Sequence, residues 1–154
     1  MNIVLYQPEI PQNTGNIART CALTETNLHL IKPLGFSLDE KHLKRAGLDY
    51  WDLVNVSVYE SFDDFIEKNP DIKLYILTTK ADNFYHQIEY DVDAFLMFGK
   101  ETAGIPEEIH QAHPDNRFRI PMRNHPKARS LNLSNAVNIV LFEALRQNGF
   151  DGLI

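Results

Sequence analysis

Cysteine is almost absent from this 154-residue chain, which contains Cys21 alone. A disulfide within the chain is therefore excluded, and this suits a reducing compartment, so we expect a cytoplasmic protein. Cys21 lies in an apolar helical stretch, and we interpret it as a buried, unreactive thiol rather than a nucleophile. No apolar run approaches the roughly 20 residues that a membrane span needs, so we expect no membrane partner.

Several common catalytic motifs are also missing. The chain has neither the P-loop pattern nor the G-x-G-x-x-G dinucleotide pattern, and it has no G-x-S-x-G nucleophile elbow. His110 and His113 fit one helix face, but no cysteine or third ligand lies near them in sequence. We therefore expect no metal cofactor. Ser130 and Ser134 have no His–Asp arrangement that the sequence can pair with them.

Basic residues are fewer than acidic ones, 15 against 21, which gives a formal net charge of −6. Bulk charge therefore argues against a nucleic-acid binder. The charges are unevenly distributed along the chain, because no Asp or Glu occurs between Asn116 and Phe142. The basic segment, residues 117–129, carries Arg117, Arg119, Arg123, Lys127 and Arg129. Such a segment can bind phosphate locally, although a solvated loop that happens to be basic explains the same pattern.

Short apolar runs alternate with helical patterns along the chain. The runs predict strands at Ile3–Tyr6, Leu28–Ile31, Val54–Val58, Lys73–Thr78, Ala94–Phe98 and Phe118–Ile120. The helical patterns lie at Thr14–Thr24, Asp39–Ala46, Phe62–Lys68, Pro106–His113 and Ser134–Gln147. This order predicts one three-layer α/β domain over residues 1–154 with a mostly parallel sheet.

The last predicted helix is apolar around nearly its whole circumference, from Ala136 to Leu145. A helix of this kind must be buried on all sides. In a chain this short a partner subunit is a natural source of that cover, and a central core helix is the alternative.

Three loops are dense in polar residues, and each of them follows a predicted strand. The loops after the strands are where α/β sheets place their ligands. The first, Pro8–Arg19, runs into a helix N-terminus that favours an anion. Asn13 and Arg19 are about a turn and a half apart and could face one site. Alternatively, Asn13 or Thr14 simply caps the helix.

The second loop is Phe98–Pro106 and the third is Ile120–Asn135. Gly99 and Gly104 would let the second loop approach a flat ligand closely, while an ordinary turn is the alternative. The third loop places many hydrogen-bonding side chains beside an apolar helix, so it needs internal partners or a ligand. A loop that only caps the helix is the alternative.

Together the three loops resemble the three motifs of the SPOUT methyltransferases, in order and at family spacing. Residues 13–19 (NTGNIAR) resemble the first motif and residues 98–106 (FGKETAGIP) the second. Residues 120–122 (IPM) with 129–137 (RSLNLSNAV) resemble the third. The start at residues 2–6 (NIVLY) and residues 45–50 (RAGLDY) resemble one subgroup, the tRNA (cytidine/uridine-34)-2'-O-methyltransferases.

The resemblance implies a C-terminal trefoil knot, which general topology rules would have argued against. It implies S-adenosylmethionine as methyl donor, with S-adenosylhomocysteine as product, and transfer to the ribose 2'-hydroxyl of the wobble nucleotide in a tRNA anticodon loop. It also implies a homodimer packed around the first and last helices. Another RNA site, or a non-catalytic RNA-binding module of the same fold, is the alternative.

By motif, the implied cofactor contacts are Leu77, Gly99, Ile120, Ser130 and Leu131. The implied catalytic and substrate-positioning residues are Arg19, Asn13, Glu101 and Asn132, together with Ser130. In this family Arg19 would be the proposed proton acceptor. A guanidinium normally keeps its charge, so the alternative role for Arg19 is to bind the adjacent phosphate and stabilise a developing alkoxide. Lys41, Lys44 and Arg45 are expected to join the basic segment in contacting RNA phosphates.

Overall fold

The computed structural model describes residues 1–38, 50–125, 127 and 129–154. The predicted helix Asp39–Ala46, and Lys41, Lys44 and Arg45 with it, lie outside these residues. The described strands are β1 (Asn2–Tyr6), β2 (Asn27–Ile31), β3 (Val56–Tyr59), β4 (Leu74–Leu77), β5 (Phe95–Phe98) and β6 (Arg117–Phe118). The described α-helices are α1 (Pro11–Leu23), α2 (Phe62–Lys68), α3 (Glu107–Ala112) and α4 (Leu133–Gln147). Short 3-10 turns cover Trp51–Leu53, Tyr85–Gln87 and Pro114–Asn116.

The six strands form one parallel sheet in the order β3-β2-β1-β5-β4-β6. The predicted parallel α/β class is confirmed, whereas the trefoil knot stays a prediction. β1 lies in the middle, where Leu5 is in register with Leu30 of β2 and with Phe98 of β5. The carboxyl ends of β1, β4 and β5 are therefore neighbours, and the loops that follow them meet at one edge of the sheet.

Alternate residues of the strands feed two cores, one on each face of the sheet. Ile3 and Leu5 pack with α1 and α4, whereas Val4 packs with α2 and α3. This is the expected pattern for a parallel sheet covered on both faces. Cys21 lies in the first core at 1% exposure, and burial raises its pKa to about 12, so the interpretation of a buried thiol is confirmed.

Two predicted helix starts differ from the structure, by three residues at α1 and by one residue at α4. α1 begins at Pro11, whose fixed φ suits the first helical position, so Asn13 and Thr14 lie inside the first turn and cap nothing. α4 is capped by Asn132 rather than Ser134, since the Asn132 Oδ1 accepts hydrogen bonds from the backbone N–H of Ser134 (3.0 Å) and of Asn135 (3.4 Å). By contrast, Ser61 caps α2 by accepting from the Asp64 N–H at 3.1 Å.

α4 is not buried on all sides within one chain. Its core face carries Val137, Val140, Leu141 and Ala144, all at 0% exposure. The opposite stripe carries Ile139 at 38% and Phe142 at 46% exposure, flanked by the exposed Asn135 and Arg146. The alternative of a central core helix is therefore wrong within one chain, and cover of the exposed stripe by a partner subunit stays a prediction. Of the helices in the described ranges, none is long and apolar enough to cross a membrane.

Candidate methyltransferase site

A cavity of about 620 Å³ opens where the loops after β1, β4 and β5 meet the segment that leads into α4. Its size is in the range of small-molecule sites, which usually span 300–1,000 Å³. Eight of the nine predicted site residues line it. They are Asn13, Leu77, Gly99, Glu101, Ile120, Ser130, Leu131 and Asn132. Their clustering is a geometric finding, and their individual roles stay predictions.

Arg19 is the residue that the cavity does not include. It lies on the exposed side of α1, and its guanidinium carbon sits 4.8 Å from the centre of the Tyr50 ring in a cation–π contact. The interpretation that Asn13 and Arg19 face one site is therefore not met within a single chain. Six residues of α-helix turn Arg19 about 120° away from buried Asn13, because successive residues are about 100° apart.

One wall of the cavity is closed by the second loop folding back on itself. The Gly104 N–H donates to the Lys100 carbonyl at 2.8 Å, and Gly104 has a φ of +70°. A Cβ added at Gly99 would lie 2.3 Å from the Gly104 carbonyl carbon and 2.5 Å from the Ile105 nitrogen. Gly99 is thus required by the close approach of its own loop, whereas the predicted close approach of this glycine to a ligand stays a prediction.

A row of hydrogen bonds crosses the cavity floor. The Asn13 Nδ2 donates to the Glu101 carboxylate at 3.0 Å, and the Asn132 Nδ2 donates to the Asn13 Oδ1 at 3.0 Å. The Asn132 Oδ1 in turn accepts from the Ser134 hydroxyl at 2.7 Å. These side chains come from three loops that are 88 and 119 residues apart in sequence. The row fixes both amide orientations, since each group has one defined donor and one defined acceptor role.

The Glu101 carboxylate also reaches the start of α1. It accepts from the Glu9 N–H at 2.8 Å and from the Ile10 N–H at 3.2 Å. Glu9 returns a contact to the same loop, because its carboxylate accepts from the Thr102 hydroxyl at 2.8 Å and from the Thr102 N–H at 3.0 Å. These two bonds, the hydroxyl first, hold the pKa of Glu9 below its ordinary value.

Sequence reasoning missed several residues of this site. Thr78, Thr79, Lys80 and Met122 line the cavity, and Glu9 and Thr102 connect its loops. Thr78–Lys80 follow β4 directly, so the rule that ligands bind at the carboxyl ends of parallel strands was a usable signal for them. Lys80 donates to the Glu107 carboxylate at 3.1 Å beside the cavity. No sequence signal marks the pairing of Glu9 with Thr102.

The cavity suits an adenosyl sulfonium compound. Buried apolar side chains, Leu77 and Phe98 among them, offer surface for a flat base, whereas Ser130 and the Glu101–Asn13–Asn132 row offer polar groups. Gly99 and Gly104, whose backbones pack closely on each other, both line the cavity. Within residues 1–38, 50–125, 127 and 129–154, no group of three or more His, Cys, Asp or Glu side chains is arranged to hold a metal ion.

Comparison with known proteins agrees with this geometry. A protein of Saccharophagus degradans named tRNA (cytidine(34)-2'-O)-methyltransferase is 49% identical over 98% of this chain and 97% of its own length. A structure solved to explain 2-OH methylation of C/U34 on tRNA superposes with a TM-score of 0.88 and 42% identity, covering 96% of this chain and 95% of that one.

A longer relative carries the methyl donor. The AdoMet-bound rRNA methyltransferase of Sinorhizobium meliloti superposes with a TM-score of 0.80 at 26% identity, covering 94% of this chain and 55% of that one. Residues 1–142 match the SpoU rRNA Methylase family. The resemblance of the three motifs is thereby confirmed, and the chain belongs to the SpoU family of S-adenosylmethionine-dependent RNA methyltransferases.

Proposed function

We propose that this protein is a cytoplasmic tRNA (cytidine/uridine-34)-2'-O-methyltransferase. The observation that carries the proposal is the convergence of the three motif loops on one cavity, with Glu101, Asn13 and Asn132 hydrogen-bonded in a row along it. Relatives of nearly the same length, about half identical to this chain, are named for this reaction. Transfer to a wobble nucleotide is the specific activity assigned here.

S-adenosylmethionine supplies an electrophilic methyl group when it is bound. Leu77, Gly99, Ile120, Ser130 and Leu131 would hold it, since all five line the cavity. The protein's own task is orientation: fixing a nucleophile in line with its target accounts for up to about 7–11 kcal/mol of a barrier in ideal intramolecular cases. A rigid row of amides tied to the N-terminus of α4 suits that task, because its members are held at both ends.

Arg19 has two candidate roles. It accepts the proton of the ribose 2'-hydroxyl, or it binds phosphate and stabilises the negative charge that develops on the 2'-oxygen. A guanidinium keeps its charge at neutral pH, and this favours phosphate binding and alkoxide stabilisation over proton acceptance. Either role predicts that Arg19→Ala loses turnover while affinity for S-adenosylmethionine survives. The variant Lys32→Ala is a matched control, because it removes an exposed cation whose partner is the exposed Glu60. Wild-type turnover in Arg19→Ala would contradict both roles.

A homodimer accounts for two features that one chain leaves open. The stripe of α4 with Ile139 and Phe142 is exposed and apolar, and Leu23 at the end of α1 is 62% exposed. Arg19, also exposed on α1, lies outside the cavity of its own chain. If the dimer packs around α1 and α4, Arg19 can complete the cavity of the second copy.

The dimer is tested by mixing two inactive variants, Arg19→Ala and Glu101→Ala. In a shared-site dimer, random mixing produces heterodimers in which one site has both residues intact, so about a quarter of wild-type activity should return. Sedimentation equilibrium gives the mass of the same samples. A monomeric mass, or a mixture that stays inactive although heterodimers form, contradicts this assignment.

The RNA substrate is expected to present its target nucleotide unstacked in a loop, where single-stranded bases are accessible. The basic segment borders the cavity, since Arg129 and Ile120 both line it. It therefore lies where anticodon-loop phosphates would approach the site. Because the net charge of the chain is −6, RNA is expected to approach the protein at this locally positive segment.

The proposed function is tested by mass spectrometry of tRNA nucleosides from cells that lack the protein, together with transfer of a labelled methyl group to purified tRNA. We expect 2'-O-methylation at position 34 to disappear in those cells and to be restored in vitro. Transcripts whose position 34 carries a 2'-deoxynucleotide serve as the control substrate. Normal methylation at position 34 in the deletion strain, or transfer to rRNA instead, would refute the assignment.

A further inference from the structure

Two glutamates hold the first and second loops together by exchanging contacts. The Glu101 carboxylate accepts from the backbone N–H groups of Glu9 and Ile10, and the Glu9 carboxylate accepts from the N–H and the hydroxyl of Thr102. The partners are 91 to 93 residues apart in sequence. We name this set of contacts, formed by Glu9, Ile10, Glu101 and Thr102, the reciprocal clamp.

The clamp supplies what α1 lacks at its start. Ile10 is the N-cap residue and has no side chain that can accept from the helix, and the first turn of α1 contains no acidic residue. Glu101 places a carboxylate at this helix end from another loop, where negative charge is favoured by the helix dipole. Hydrogen bonds to a carboxylate are among the stronger ones in proteins.

The same contacts restrain Glu101 from its own side. Its immediate neighbour Thr102 is tied to Glu9, so the backbone on the C-terminal side of Glu101 cannot move independently of the first loop. Glu101 and Thr102 line the cavity, whereas Glu9 is not among the described residues that line it. The Glu9 side chain therefore reaches the cavity through its bonds to Thr102 on the loop that carries Glu101, and its backbone reaches it through the neighbouring Ile10.

We propose that Glu9 and Thr102 are positioning residues for the methyl transfer, and that they act by holding the Glu101–Asn13 pair in the geometry the reacting ribose requires. This inference rests on the proposed function. It goes beyond the expected site residues, because neither Glu9 nor Thr102 belongs to the expected catalytic or cofactor-contact set.

The reciprocal clamp is separate from the wall of the cavity that the second loop forms around Gly99, Lys100 and Gly104, which we name the cofactor wall. The second loop closes through the Gly104–Lys100 hydrogen bond and the tight packing at Gly99, and neither contact involves Glu9 or the Thr102 side chain. Loss of the clamp should therefore leave the cofactor wall in place while Glu101 gains freedom. The kinetic consequence is a fall in kcat with little change in affinity for S-adenosylmethionine.

The experiment compares Thr102→Val, Thr102→Ser and Glu9→Ala, singly and with Thr102→Val combined with Glu9→Ala. Thr102→Val removes the hydroxyl at nearly constant volume, Thr102→Ser keeps it, and Glu9→Ala removes the carboxylate that accepts both bonds from Thr102. We expect kcat on tRNA to fall at least tenfold in Thr102→Val and Glu9→Ala, to stay within twofold of wild type in Thr102→Ser, and to fall no further in the double variant than in Glu9→Ala. The Kd for S-adenosylmethionine, measured by calorimetry, should change less than threefold.

Hydrogen exchange of the backbone amides provides a readout that does not depend on catalysis. The amides of Glu9 and Ile10, which donate to Glu101, should exchange at least fivefold faster in Thr102→Val and at the wild-type rate in Thr102→Ser. A Thr102→Val protein with wild-type kcat, losses that multiply in the double variant, or unchanged exchange at these amides overturns the clamp. If the wild-type protein itself transfers no methyl group, the proposed function fails, and the exchange rates alone then decide whether the clamp exists.

Discussion

Replacement of Gly99 by alanine tests whether the close fold of the second loop forms the cofactor wall. The added Cβ would start 2.3 Å from the Gly104 carbonyl carbon, whereas ordinary contacts of a Cβ begin at 3.4 Å. The obstructing atoms are backbone, so the loop has to retreat by about 1 Å rather than rotate a side chain away. Overpacking of this kind typically costs about 1–3 kcal/mol.

The retreat moves the same loop that carries Glu101, and a misplacement of about 1 Å can reduce turnover about 100-fold. We therefore expect Gly99→Ala to raise the Kd for S-adenosylmethionine at least about tenfold, equivalent to about 1.4 kcal/mol, and to lower kcat by about two orders of magnitude. Calorimetry with S-adenosylmethionine and with S-adenosylhomocysteine measures the first quantity, and labelled methyl transfer to tRNA measures the second.

Gly149→Ala is the matched control. Gly149 has a φ of +73° just after α4, with no neighbouring atom within 4 Å of an added Cβ, so the variant carries backbone strain of about 1–2 kcal/mol without a steric collision. Both variants should lower the melting temperature, but Gly149→Ala should bind the cofactor normally. Wild-type affinity in Gly99→Ala would refute the argument, as would an equal loss in Gly149→Ala.

The remaining predictions concern stability and RNA binding. Burial lowers the pKa of His29 from 6.5 to about 4, so as the pH falls the unfolded chain binds a proton at His29 before the folded chain does. The free energy of unfolding should therefore be unaffected above pH 6.5, fall by about 1.4 kcal/mol at pH 5.5 and fall by about 3 kcal/mol below pH 4. Urea unfolding at several pH values measures this, and a His29→Gln variant with the same pH profile would contradict it. Ser61→Ala should lower the free energy of unfolding by about 1 kcal/mol through loss of the α2 cap, whereas a loss under 0.3 kcal/mol would mean that the cap contributes little. The logarithm of RNA affinity should fall with the logarithm of salt concentration, with a slope of roughly −0.7 per phosphate neutralised. Replacing Arg123 and Lys127 together by alanine should make this slope shallower by about 1.4. An unchanged slope would show that the basic segment does not contact the RNA.

Local patterns in the sequence determined most of the elements. Apolar runs of three to six residues predicted the six described strands to within about two residues at each end, because most of these strands bury consecutive side chains. The position of the cavity also followed from sequence. Ligand loops come after parallel strands, and the three motif loops come after β1, β5 and β6.

Contacts between distant loops depended on the strand order, which no local pattern encodes. Placing β1 beside β5 brings Glu9 to Thr102 and Asn13 to Glu101. The motif resemblance had placed Asn13 and Glu101 in one site, but the sequence offered no signal for the pairing of Glu9 with Thr102. The cap of α4 was misassigned for a similar reason. Asn132 is held by Asn13 from the other end of the chain, and this bond orients its carbonyl oxygen toward the helix.

Helix orientation was the other property that only the tertiary structure decided. The sequence marked Arg19 as a site residue and α4 as fully apolar, yet the fold turns Arg19 outward and leaves Ile139 and Phe142 exposed. Periodicity gives the relative angles of residues around a helix, but the direction in which the helix faces is set by what it packs against. Residue types and spacing thus determined the chemistry available to this protein, and the packing of α1 and α4 on the sheet determined which of those residues share one cavity.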